Sequence, residues 1–180
     1  MSYLGCFAHP ISGLPYLEIE VTGDSLVHSE DVTRLVGGSK ICPKTGKIDF
    51  SAFDRTAKDT TGLSFNRTGV FSPDQDADDA EISRIMRSRL SVGKTAVHAV
   101  TNVGTALKAL ASFGTLFDFV ENPLDAEVDK PANPAHVLMK GLPFVGEAIG
   151  SLNSDVAGAL LCRTISRTFL AWPPKARIET

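Results

Sequence analysis

The sequence predicts an α+β fold: one domain over 1–180, with a small mixed or antiparallel sheet and about three helices packed on it in a single layer. Three observations carry that reading. Short alternating segments, such as residues 16–21 (YLEIEV), have the period of two of a half-buried strand. A capped, charge-graded segment beginning at Ser72 has the apolar spacing of a helix. The length of 180 residues, with 43% hydrophobic and 22% charged residues, suits a single globular core.

In chain order, residues 1–14 are rich in Gly and Pro and read as an irregular leader. Segment 16–21 is a strand, followed by a turn at Gly23-Asp24. Residues 32–36 form a short element closed by Gly37-Gly38. Lys44-Thr45-Gly46-Lys47 turns into segment 48–53, a second strand or extended piece. Residues 58–67 form a polar loop that turns at Gly62 and runs into a short strand. Ser72-Pro73 then opens a helix, with Asp74, Asp76, Asp78, Asp79 and Glu81 near the positive end of its dipole. Ile82, Ile85, Met86 and Leu90 recur at helical spacing, and Arg84, Arg87 and Arg89 load the other end. These arginines complement the dipole and are not read as a nucleic-acid patch.

Residues 94–100 are β-prone, and Thr101-Asn102 caps a short helix carrying Val103, Leu107 and Leu110, ended by Gly114. Segment 115–120 is a strand with Phe117 and Phe119 on one face. Residues 121–134 hold three prolines and several acids, the composition of a connecting loop. Ser154-Asp155 opens a C-terminal amphipathic helix over 154–171, with Val156, Leu160, Leu161, Ile165 and Phe169 as its apolar stripe.

Composition sets aside several functions. A net charge of −3 argues against binding nucleic acid through phosphate neutralisation. Cys6, Cys42 and Cys162 lie far apart with no CxxC pair, and His9, His28, His98 and His136 form no His-x-x-x-His pair, so neither a metal nor a cofactor is expected. No apolar run reaches the roughly 20 residues of a membrane span, and the N-terminus does not read as a signal peptide. The expected location is therefore the reducing cytoplasm. Gly93-Lys94-Thr95 lacks the earlier glycine of a phosphate loop, because Ser88 stands there. Ser91-x-x-Lys94 lacks its companion motifs.

The residues left over for a site are polar landmarks in unlikely places. Arg34 sits in an otherwise apolar segment, where burial calls for a carboxylate or a bound anion, a structural salt bridge being the favoured reading. Asp59 closes a turn onto backbone N–H groups ahead of it. Ser64 alternates with Leu63 and Phe65 and faces away from the core, as do Asn66 and then Arg67 beyond it. Asn133-Pro134 is a restricted turn that orients His136. The ligand-binding set is accordingly Arg34, Asp59, Ser64, Arg67, Asn133 and His136, with no catalytic residue assigned. Phe169 and Trp172, in the last helix and at the following Pro173-Pro174, are the partner-binding residues.

The order of these landmarks carries a resemblance. Arg34, then Gly46-x-x-x-x-x-Ala52-Phe53, then Lys58-Asp59-x-x-Gly62-Leu63-Ser64, then Asn133-Pro134-Ala135-His136 is similar to a diffuse group of small uncharacterised bacterial proteins. The likeness covers residues 30–140, with Phe65 where the group has valine. It implies a defence- or mobile-element-associated setting. Two functions follow as expectations. The first is a non-enzymatic accessory protein that binds a protein partner encoded nearby, with no direct contact to nucleic acid or membrane. The alternative is a nucleotide-acting enzyme with an ADP-ribosyltransferase-like cleft, in which Arg34 meets a phosphate, Ser64 a ribose and His136 the ligand. Its catalytic glutamate would be Glu121 or Glu127 by position alone.

Overall fold

The computed structural model describes residues 23–42, 44–54, 59, 61–91, 93–113, 116–142 and 170–172. The leader at 1–14, the strand expected over 16–21 and residues 154–169 of the expected last helix lie outside them. Six strands form one sheet: β1 (Asp31–Val36), β2 (Leu63–Arg67), β3 (Val97–Asn102), β4 (Asp118–Glu121), β5 (His136–Lys140) and the short β6 (Leu170–Trp172). Among the described residues two α-helices accompany them, α1 (Gln75–Arg89) and α2 (Val103–Leu110). The strand order is β4-β5-β2-β1-β3-β6, and each neighbouring pair is antiparallel. Among the described residues the sheet is antiparallel throughout, one of the two expected arrangements. Leu170 and Ala171, placed in the last helix by their sequence, belong instead to β6 beside β3.

Local chemistry explains the elements. Gly62 enters β2 with φ +151°, and a Cβ there would stand 2.8 Å from the Met139 carbonyl oxygen of β5. Only glycine allows that approach. The Asp74 side chain accepts a hydrogen bond from the Ala77 amide at 2.9 Å and is the N-cap of α1. Ser72, the expected cap, lies two residues earlier and accepts from the Asp74 amide at 3.1 Å. Ile82, Ile85 and Met86 are buried, but Leu90 leaves the helix in an extended conformation and is exposed. Asn102 caps α2 as its sequence implies, accepting from the Thr105 amide at 3.2 Å.

Segment 48–53 departs from its strand pattern. The Asp49 side chain accepts from the Ser51 amide at 2.9 Å and starts a 3-10 turn over Phe50–Phe53, leaving only Ile48 bridged, to Ile41. Residues 121–134 are more ordered than a plain connection. Paired bridges Leu124↔Asn133 and Glu127↔Lys130 make a narrow hairpin there.

The strand pleat assigns the core. On one face, Val32, Val36, Leu63, Phe65, Ala99, Phe119, Val137 and Met139 join Phe53 and the α2 residues Val103, Ala106 and Leu110 in one apolar cluster. Phe65 is its centre, stacked 6.4 Å from Phe53 and edge-on to Phe119 at 5.4 Å. The opposite face carries Thr33, Asn66, His98 and His136, and α1 lies over it, with Ser83 bonded to His98 and Met86 beside Asn133. Among the described residues, α1 and α2 lie on opposite faces, where a single helical layer was expected. The burial of β5 at all five positions follows from that double cover.

Candidate functional site

The most unusual chemistry lies between α1 and the sheet. In register, His136 of β5 stands opposite Asn66 of β2, and Asn66 opposite Thr33 of β1, so three polar side chains form one row across the sheet. Asp79, Ser83 and Met86 project from α1 onto this region, four and three residues apart on one helical face. All three row residues are buried, as are His98 and Asn133.

Most of these groups satisfy one another. Asn133 Nδ2 donates to Asn66 Oδ1 at 2.8 Å and touches Met86 Sδ at 3.9 Å. His136 Nδ1 donates to the Asn122 carbonyl at 2.7 Å, which fixes its tautomer. Burial holds the His136 imidazole below its ordinary pKa; the Asn122 carbonyl opposes that shift and the Arg89 charge adds to it. His98 is gripped on both ring nitrogens. Ser83 Oγ lies 2.7 Å from Nε2, and Thr33 Oγ1 lies 3.1 Å from Nδ1. Asp79 Oδ1 is 3.7 Å from the same Nδ1.

Asp79 is the exception. It is 7% exposed, and neither carboxylate oxygen has a hydrogen-bond donor. Burial, reinforced by the Asp78 and Asp76 charges, raises its pKa to about 6. Burial lowers that of His98, against the Asp79 backbone carbonyl and the Asp78 charge, with Arg87 adding to the fall. Asn133 Oδ1 is likewise buried without a donor. In sequence, Asp79 read as one of the acids near the helix dipole and His98 as one of four histidines with no metal-ligand spacing. The signal that could have joined them is Asp79-x-x-x-Ser83, an acid and a hydroxyl one turn apart on the apolar side of α1.

Ser83, His98 and Asp79 stand in the order hydroxyl, imidazole, carboxylate. The resemblance to a nucleophilic triad stops at the hydroxyl. The amides that follow Ser83 are committed to the helix ladder and do not turn to an oxyanion, and the carboxylate is beyond hydrogen-bond distance of Nδ1.

The residues singled out from sequence divide between the two faces. Arg34 is on the α2 face, where its guanidinium donates to the carbonyls of Ala52 at 3.1 Å and Ser64 at 2.6 Å and lies 5.7 Å from the Phe65 ring centroid. Burial lowers its pKa, with the nearby Asp59 charge opposing. The expected salt bridge is thus largely replaced by carbonyl acceptors. The Asp59 carbonyl accepts from the Gly62 amide at 3.2 Å, as a turn residue. Arg67 pairs with Glu121 and, at 3.5 Å, with Glu30. Ser64 and His136 lie on the α1 face in adjacent strands. A cleft lined together by the Arg34, Ser64 and His136 side chains is therefore contradicted by the pleat. Asn66, expected to face away from the core, is buried against Asn133.

Phe169 lies outside the described residues, and Trp172 stands in β6 opposite His98. Cys42 is exposed, and hydrogen bonds from the Thr45 hydroxyl and the Thr45 and Lys44 amides lower its thiol pKa. Among the described residues, no three His, Cys, Asp or Glu side chains are grouped to hold a metal, and no helix is long and apolar enough to cross a membrane. Compared with protein families, curated proteins and solved structures, the chain matches none.

Proposed function

We propose that this chain is a non-enzymatic accessory protein that binds a protein partner, and that its contact surface is centred on Val128. Val128 carries the reading. It is 88% exposed at the tip of a hairpin whose ends, Glu127 and Lys130, exchange backbone hydrogen bonds of 2.9 and 3.1 Å. Turn tips favour Gly, Asn and Asp, so a valine at this one is unusual. The tip is also held in place. Arg89 of α1 donates to the Asp125 carbonyl and, at 2.8 Å, to the Pro131 carbonyl, and pairs with Glu127 at 3.4 Å. An apolar residue on a rigid support is the anchor that a protein interface uses, because little entropy is lost when it docks.

The bacterial, defence-associated setting rests on the landmark resemblance alone. The cytoplasmic location and the absence of direct nucleic-acid and membrane contact rest on composition. The partner is the product of a neighbouring gene. The nucleotide-cleft alternative is not carried forward, since Arg34 and His136 project from opposite faces.

The test is co-purification of tagged wild-type protein and Val128→Glu with the products of adjacent genes. The expected result is capture by wild type and at least tenfold weaker capture by Val128→Glu at unchanged melting temperature. Equal capture by both would remove Val128 from the interface. No capture by wild type would overturn the proposal.

A further inference from the structure

The enclosed Asp79 carboxylate is a liability that the fold keeps, and its surroundings indicate why. It lies at the seam where α1 meets β1 and β3, with His98 as its nearest ionisable neighbour at 3.7 Å. The groups facing the pair are Asp76, Asp78, Ser83 and Arg87 from α1 and Thr33 from β1, while Trp172 of β6 stands opposite His98 in register. Asp78 is already committed to the amides of Gly69, Phe71 and Ser72. Arg87 donates to the Gly93 carbonyl at 3.1 Å. Neither is bonded to the pair.

We propose that Asp79 and His98 form a proton-sharing clasp that keeps α1 docked on the sheet with little dependence on pH between about 5 and 7. One proton taken from solvent and held between Asp79 Oδ1 and His98 Nδ1 closes the 3.7 Å gap to a hydrogen bond. His98 Nε2 remains bonded to Ser83 and ties the clasp to the next turn of α1.

The two members respond to pH in opposite senses. Asp79 has a folded-state pKa of about 6 against an ordinary 3.8, so on its own it loosens the seam as pH rises through that interval. Its shift comes from burial, Asp78 and Asp76, and persists without His98. His98 is lowered by burial, so on its own it loosens the seam as pH falls below its ordinary value of 6.5. Together the two slopes offset.

Amide hydrogen exchange of the full-length chain, followed on peptides covering 75–89 and corrected for intrinsic exchange, tests this. With His136 replaced by Gln in every variant to remove the separate titration of that buried ring, α1 opening of the otherwise wild-type chain changes less than about threefold from pH 5 to pH 7, since each unbalanced proton would contribute up to tenfold per unit. In His98→Gln, opening rises about tenfold over the same interval. In Asp79→Asn, it falls, because the buried His98 ring alone then sets the slope. Opposite signs are the signature, because a merely structural defect in α1 would move both variants the same way at all pH values. If both variants slope in the same direction, or neither slopes, the clasp is overturned. A wild-type His98 ring that titrates near 6.5 in nitrogen-15 NMR spectra overturns it as well.

Discussion

Buried polar residues at single positions decide more of this structure than their number implies. Asp78 is the clearest case. Its carboxylate accepts from the Gly69 amide at 2.8 Å and, through its other oxygen, from Phe71 at 2.9 Å and Ser72 at 3.3 Å. It is 1% exposed, so removing it strands buried N–H groups as well as losing charge-assisted bonds. Asp78→Ala is expected to cost about 3 kcal/mol in urea denaturation and Asp78→Asn about half of that. A loss below about 1 kcal/mol would mean that water replaces the carboxylate at those amides. In sequence, Asp78 was legible only as one acid among several near a helix start. The same limit applied at Ser64 and Asn66. Alternation correctly turned them away from Leu63 and Phe65, but it does not tell solvent from a second covered face, and α1 covers Asn66.

Elements were legible where their signals are local. Asn102 before Val103, and the acid-rich start with its arginine-rich end at α1, give helices within a few residues of those observed. Boundaries depended on one bond each. Ser72 and Asp74 both suit an N-cap by type, and only geometry separates them. Asp74→Ala is therefore expected to lower stability by about 1 kcal/mol, whereas Ser72→Ala should cost a few tenths. Equal losses in thermal melts would return the cap to Ser72. Segment 48–53 shows the converse difficulty. Its apolar alternation is that of a strand, yet the Asp49 side chain bonds the Ser51 amide and diverts the chain into a 3-10 turn that delivers Phe53 to the core.

For the whole molecule, an antiparallel sheet was one of the two arrangements expected, but the strand order and the placement of α1 and α2 on opposite faces could not be read from the chain, because both are set by long-range pairing. Burial on both faces then places His136 inside, and that has a consequence for acid stability. Its imidazole is held below its ordinary pKa by burial, so the folded chain binds fewer protons there than the unfolded chain as pH falls below 6.5. Stability from this residue is present above that value and lost on acidification. Since Asp79 and His98 oppose one another over the same interval, the net slope among these three groups is that of His136. Unfolding free energy from urea titrations should fall between pH 7 and pH 5, with a slope of no more than about 1.4 kcal/mol per pH unit for one proton. His136→Gln should be less stable at pH 7, having lost the bond to the Asn122 carbonyl, and should show a flatter slope. An unchanged slope would assign the acid sensitivity to another group and leave His136 a purely structural hydrogen-bond donor.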